Sequence, residues 1–145
     1  MPSTTFWVIM AVVAADLIFV PLVISVLVRG GWNPIAERFP ARGPRPDAVT
    51  KHFQSYKVGL LNLGFMVHTS VDDMWLHLRP AWFGRRIGMK GASVPWEEIE
   101  PVRRRGRRYA EVKIGLATVF GPRWALELAF VDHEDASSTA PTDDA

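Results

Sequence analysis

The side chains with which this chain could do acid–base or metal chemistry are four histidines (His52, His68, His77 and His133), the adjacent Asp72 and Asp73, and a run of glutamates at Glu97, Glu98 and Glu100. Their spacing argues against both chemistries. The chain has no cysteine and no His-Glu-x-x-His pair, so a metal site would have to be assembled from separated segments. His77 with Asp72 or Asp73 could form a proton relay, yet a strand histidine beside a turn aspartate is ordinarily structural. Glu98 and Glu100 would share one exposed strand face and resemble a catalytic carboxylate cluster only in composition. A Gly-x-Ser-x-Gly elbow, a phosphate-binding glycine-rich loop and a dinucleotide fingerprint are all missing from the sequence. The expectation is therefore a non-enzyme, with no catalytic residue, no metal and no cofactor.

Charge is the second kind of chemistry on offer. Arg103, Arg104, Arg105, Arg107 and Arg108 put five arginines into six positions around Gly106, at an expected hairpin turn. Anionic lipid headgroups suit such a cluster, since each basic side chain near a charged leaflet contributes about 1 kcal/mol within a Debye length. A solvated loop, an acidic partner protein and the chain's own acidic tail are the other readings. Nucleic acid is not expected, because no recognised binding motif accompanies the arginines.

What positions these groups begins at the N-terminus. Residues 6–28 form a 23-residue run in which Asp16 is the one formally charged side chain, and Arg29 follows at once. At about 1.5 Å per residue the run reaches roughly 34 Å, enough to cross a hydrocarbon core of about 30 Å. A cleaved signal peptide fits poorly: residues 1–5 lack Lys and Arg, the apolar stretch is too long, and no small-x-small site precedes Arg29. An uncleaved anchor over residues 1–29 is expected. Residues 29–51 hold Arg29, Arg38, Arg42, Arg45 and Lys51 against Glu37 and Asp47, so the positive flank should stay inside. That gives an inner-membrane, single-pass protein with its N-terminus out and its C-terminal domain cytoplasmic. The lack of cysteine fits a reducing compartment without requiring one.

Asp16 sits near the middle of the span, where an ionised carboxylate costs roughly 2.5–3.5 kcal/mol on insertion scales. Either it is neutralised in a lone anchor, or Ala11, Ala15 and Asp16 form a contact with a helix of an integral membrane partner. Pro21 is expected to kink the span.

Residues 30–50 read as a short juxtamembrane helix and a linker. Asn33-Pro34 looks like an N-cap followed by proline at the first helical position. Trp32, Ile35, Ala36 and Phe39 make one stripe that Pro40 ends. Such a helix could lie in the membrane interface or fold back on the soluble domain. In the first case Trp7, Arg29, Trp32, Arg38 and Phe39 are the interface residues. Residues 41–48, with two prolines, a glycine and two arginines, read as linker.

From residue 51 to 131 the period becomes two, with strands expected at 51–58, 60–68, 74–78, 82–89, 93–103, 109–115 and 124–131, and bends at Gly59 or Gly64. Six or seven short strands with no helix between them indicate a small antiparallel sandwich or barrel. Trp75 alternates away from Met74, Leu76 and Leu78, so it either completes a second packed face or marks a partner contact. Residues 132–145, acidic and without Lys or Arg, read as a disordered tail.

The order of elements supports a resemblance. Gly31-Trp32-x-x-Ile35-Ala36-Glu37-Arg38-Phe39, followed by a small β domain with Val94-Pro95-Trp96-Glu97-Glu98-Ile99 past its middle, resembles a family of small uncharacterised bacterial membrane-anchored proteins, and these in turn resemble pleckstrin-homology-like β domains. The resemblance implies no catalytic residue. It also leaves one element of that fold without a sequence candidate, the terminal amphipathic helix that plugs the barrel. The reading as a whole is a non-catalytic accessory or scaffold subunit of a membrane protein complex. The alternative is a membrane-surface module whose arginine hairpin meets anionic lipid.

Overall fold

The computed structural model describes residues 1–138. Helix α1 (Thr4–Leu27) opens on Ser3, whose hydroxyl accepts from the Phe6 backbone N–H, and runs on through Pro21. A π turn (Val28–Trp32) joins it to α2 (Asn33–Arg38), so the helix is continuous over 35 residues. Its mean hydropathy of 2.7 over an 18-residue window, with almost none of that window buried, makes it long and apolar enough to span a membrane and separates it from an interior helix of a soluble core. The π turn has an identifiable cause. Pro34 has no N–H to return to the preceding turn, and widening the helix there lets the Asn33 N–H reach back to the Val28 carbonyl. Asn33 is thus inside the helix and is not the N-cap that its sequence suggests.

Seven strands follow: β1 (Val49–Val58), β2 (Leu61–Val71), β3 (Trp75–Pro80), β4 (Ala92–Pro95), β5 (Ile99–Arg105), β6 (Tyr109–Ile114) and β7 (Ala117–Pro122). They form one curled antiparallel sheet in the order β4-β3-β2-β1-β7-β6-β5, a half-barrel whose two edges are β4 and β5. The curl is helped by two irregularities in the β1–β2 ladder, where Phe53 and Phe65 sit at φ +52° and +55° and locally add residues to one strand or the other. The bend expected at Gly64 falls on its neighbour Phe65, while Gly59 is the β1–β2 turn.

Two expected strands are helices. Residues 82–89 contain the short helix α3 (Trp82–Arg86), and residues 124–131 lie within α4 (Arg123–Ser138). The sequence of α4 alternates and also satisfies a helical period. Ala125, Leu126, Ala129 and Phe130 are buried together, whereas Leu128 is exposed, and Arg123 bridges Glu127 at 2.8 Å across one turn. Alanine, leucine and glutamate favour the helix once the open mouth of the half-barrel offers it a face against β5, β6 and β7. The same helix carries residues 132–138, read above as tail, so the β domain ends on a helix for which the sequence reading had no candidate; residues 139–145 lie outside the described residues. Strand β7 was hidden because its core residues are few and small, with Val119, Gly121 and Pro122 buried.

Inside the curl, Tyr56, Leu63, Val67, Leu76, Val112 and Leu126 form the heart of a single core. Gly121 is required by the Tyr56 ring, since a Cβ there would lie 2.5 Å from Cε1. Gly121→Ala is expected to destabilise the domain by about 1–3 kcal/mol through overpacking, read as a lowered melting temperature of the full-length protein in detergent. An unchanged midpoint would contradict this packing.

Candidate functional site

Three places gather polar groups or unusual contacts. The first is the joint between the helix and the sheet. Val28 and Trp32 are 0% and 1% exposed, and Ile35 and Ala36 are buried with them in the core. The Trp32 indole donates to the Lys90 carbonyl at 2.7 Å. Asn33 clamps the same loop from both sides, donating to the Gly88 carbonyl at 2.9 Å and accepting from the Lys90 N–H at 3.1 Å. Trp32 therefore belongs to the core and not to the membrane interface, because its polar edge has a protein partner and its ring fills the space beneath β2. Phe39 is half-buried under the Arg38 guanidinium, and Arg38 reaches Glu98 at 3.5 Å. Trp7 and Arg29 remain exposed.

The second place is a buried chain of hydrogen bonds. His77 projects from β3 towards the outer face, yet it is 1% exposed. Its Nε2 lies 2.9 Å from Asp72 Oδ2 and its Nδ1 lies 2.8 Å from Ser93 Oγ, directly across the β3–β4 register. The cover is the segment read from sequence as linker. Pro40 bridges Ala92, the Arg42 N–H donates to Ser93 Oγ at 2.7 Å, the Arg45 N–H reaches Asp72 Oδ2 at 3.5 Å, and the Arg45 guanidinium grips Asp73 at 2.7 and 2.9 Å. Residues 40–45 are a strap, held down by polar groups that its prolines and glycine do not announce. A neutral His77 with its proton on Nε2 satisfies the chain in one direction: Arg42 N–H to Ser93, Ser93 hydroxyl to His77, His77 to the Asp72 carboxylate.

Asp72 is the anchor of this chain. Burial would raise its pKa, but the bond from His77 and backbone N–H bonds from Met74, Trp75 and Arg45 outweigh that and hold it below the usual 3.8. Trp96 fixes the loop by donating to the Asp72 carbonyl at 2.9 Å. Trp75, half-buried, lies under the Arg42 guanidinium at 4.7 Å, so the strap covers it. Although Ser93, His77 and Asp72 have the composition of a nucleophilic triad, Ser93 Oγ is buried and already accepts from the strap. What the arrangement does is fasten the strap to the sheet. Sequence reading paired His77 with an aspartate and missed Ser93, whose only signal is a register that pairing alone creates.

The third place is the arginine hairpin between β5 and β6. Arg103 and Arg105 share Glu111 at 2.7 and 3.3 Å, while Arg104 spans Glu127 and Glu134, each at 3.0 Å, and stacks over Phe130 at 4.7 Å. The Arg103 bond, assisted by Arg105, holds the Glu111 carboxyl below its usual value, and Arg123 with Arg104 does the same for Glu127. Three of the five arginines are thus engaged by their own domain. Arg107 and Arg108 have no acidic partner recorded among the described residues and stand exposed at the tip. This tip and the β6–β7 turn are at opposite ends of β6, roughly 20 Å apart.

The remaining expected residues lie apart from these. Ala11, Ala15 and Asp16 are exposed on α1, and the chain brings none of its own described side chains to Asp16. His52 and His68 meet on the outer face with their Nδ1 atoms 3.3 Å apart, and no third metal ligand joins them among the described residues. No family model matches the chain, and neither a curated protein nor a solved structure is significantly similar to it.

Asp72→Asn is expected to lower stability at neutral pH by about 1–3 kcal/mol, the cost of weakening a buried charge-assisted network. Because the folded carboxyl titrates below 3.8, its contribution is present above that value and is lost as pH falls through the folded one. The gap in melting temperature between wild type and Asp72→Asn should therefore narrow as pH is lowered from about 6 to 3. A gap that widens on acidification would contradict the assignment.

Proposed function

We propose that this chain is a single-pass membrane protein that serves as a non-catalytic accessory or scaffold subunit of a membrane protein complex. The observation that carries the reading is the joint: the helix that is apolar enough to span a membrane does not hand over to a flexible tether but ends inside the core of the β domain, through Val28 and Trp32. A tether suits a domain that searches for its ligand. A rigid joint suits a part whose two ends must be held at a fixed distance and angle, as in an assembly. The same burial supports an anchor that stays attached, since Val28 of the apolar run is itself a core residue.

The positive flank of residues 29–51 supports an orientation with the N-terminus out and the β domain in the cytoplasm, at the inner membrane of a bacterial cell. The β domain is read as pleckstrin-homology-like. Two antiparallel meanders, β1–β4 and β5–β7, joined side by side through the β1–β7 pair and followed by a helix across the open side, support that reading. In the complex, Asp16 with Ala11 and Ala15 is the contact to a partner helix, where a carboxylate in hydrocarbon gains most from a polar neighbour. Arg107 and Arg108, at the end of β6 away from the joint, offer a second contact to an acidic protein surface. Their distance from the joint counts against the alternative in which this hairpin reads the lipid of the same bilayer.

The test is to extract membranes with mild detergent, purify the tagged full-length chain, and measure the mass and composition of what accompanies it, with Asp16→Ala alongside. A stoichiometric assembly that is weakened in Asp16→Ala is the expected outcome. A lone monomer or dimer in both would overturn the reading.

A further inference from the structure

The end of the β domain beside α1 carries apolar surface that the fold does not use. The β1–β2 and β6–β7 turns close on Gly59 and Gly115, both at positive φ, and so hold Leu60 and Leu116 at their tips, 92% and 105% exposed. Both tips stand against the end of the long helix, around a groove of about 840 Å³ whose walls include Val26, Leu27, Phe39, Leu60 and Leu116. A second hollow of about 320 Å³ continues it between Pro21 and Ile24 of α1 and Met66, Phe83 and Ile87. The rim is basic. Arg38 borders the first groove, and Arg29 and Arg86 border a third hollow beside Ile18 and Leu22.

The depth of these features is set by α1. A hydrocarbon core of about 30 Å takes up about 20 residues of helix, and the apolar run ends at Val28. The hollows start beside Ile18 and Leu22, in the inner half of the span, and run down to residues 26–39, where acyl chains give way to headgroups. We infer that this end of the β domain is seated in the leaflet, with Leu60 and Leu116 inserted and bilayer phospholipid filling the groove, its phosphates at Arg29, Arg38 and Arg86. Two observations select lipid as the occupant: the groove is continuous with the surface of the spanning helix, and its rim is cationic where phosphates would lie. The arginines can lay their stems along the apolar wall and raise their guanidinium groups to the headgroups. This inference rests on α1 crossing the bilayer and adds a second attachment to it.

Because the chain has no cysteine, single variants Leu60→Cys, Leu116→Cys, Val13→Cys and Arg107→Cys can each carry one nitrobenzoxadiazole label. The full-length protein would be placed in nanodiscs of phosphatidylcholine and phosphatidylglycerol, with and without nitroxide-labelled lipid. Expected are blue-shifted emission and loss of intensity to the nitroxide lipid at positions 60 and 116, deep quenching at 13, and water-like, iodide-quenched emission at 107. Water-like labels at 60 and 116 with a lipid-quenched label at 13 would overturn the seat and leave the span intact. A water-like label at 13 would overturn the span and the seat together.

Discussion

Everything else in the molecule depends on the insertion of Trp32 into the β domain. One indole, with its N–H on the Lys90 carbonyl and its ring in the core, converts the end of an apolar helix into part of a sheet protein's interior. The π turn is what makes this affordable sterically. Pro34 would clash with a regular preceding turn, and the wider turn relieves it while keeping Val28, Trp32 and Ile35 on the inward side. Asn33, at the point where the backbone departs from α geometry, binds the Gly88–Lys90 loop through both ends of its amide. Strain in the helix and order in the loop are thus settled by the same few residues.

From that joint the chain continues as a strap, and the strap explains why a half-barrel can bury polar side chains on its outer face. A sheet with one wet face would leave His77 and Ser93 in water. Here residues 40–45 lie across them, and each donor and acceptor finds a partner, so the cost of burying imidazole, hydroxyl and carboxylate is offset. The network also ties the edge strand β4 to β3 and to the helix exit, covering an edge that would otherwise present open hydrogen-bonding groups.

Legibility in the sequence followed the range of the forces involved. The long apolar helix was readable because a 23-residue run with one formally charged side chain admits few other local structures, and the mainly β antiparallel character was readable from period-two stretches such as β1 and β6. The elements that failed are those whose local signals fit two answers. Residues 124–131 alternate and also repeat every three to four, and only the open side of the sheet decides for the helix. Asn33-Pro34 spells a helix start, and only the core demand for Trp32 makes it a continuation. The strap failed for a different cause: Pro, Gly and Arg are the composition of a linker, and its hydrogen bonds go to partners about 30 to 50 residues away. Of the site, Asp72 with His77 could be paired from five-residue proximity, whereas Ser93 joins only through strand register and Arg42 only through the strap.

The continuous helix has a consequence for direction as well as distance. A shaft welded to its head transmits rotation: with Trp32 fixed in the sheet, the compass bearing of Asp16 around the helix axis is fixed relative to every strand. Whatever meets this carboxylate would therefore face one fixed side of the β domain. Any one-residue insertion or deletion between Asp16 and Trp32 would turn that bearing by about 100° while leaving both ends chemically unchanged. The spacing between these two residues encodes an angle, and the unbroken helix carries it from one to the other without a tether.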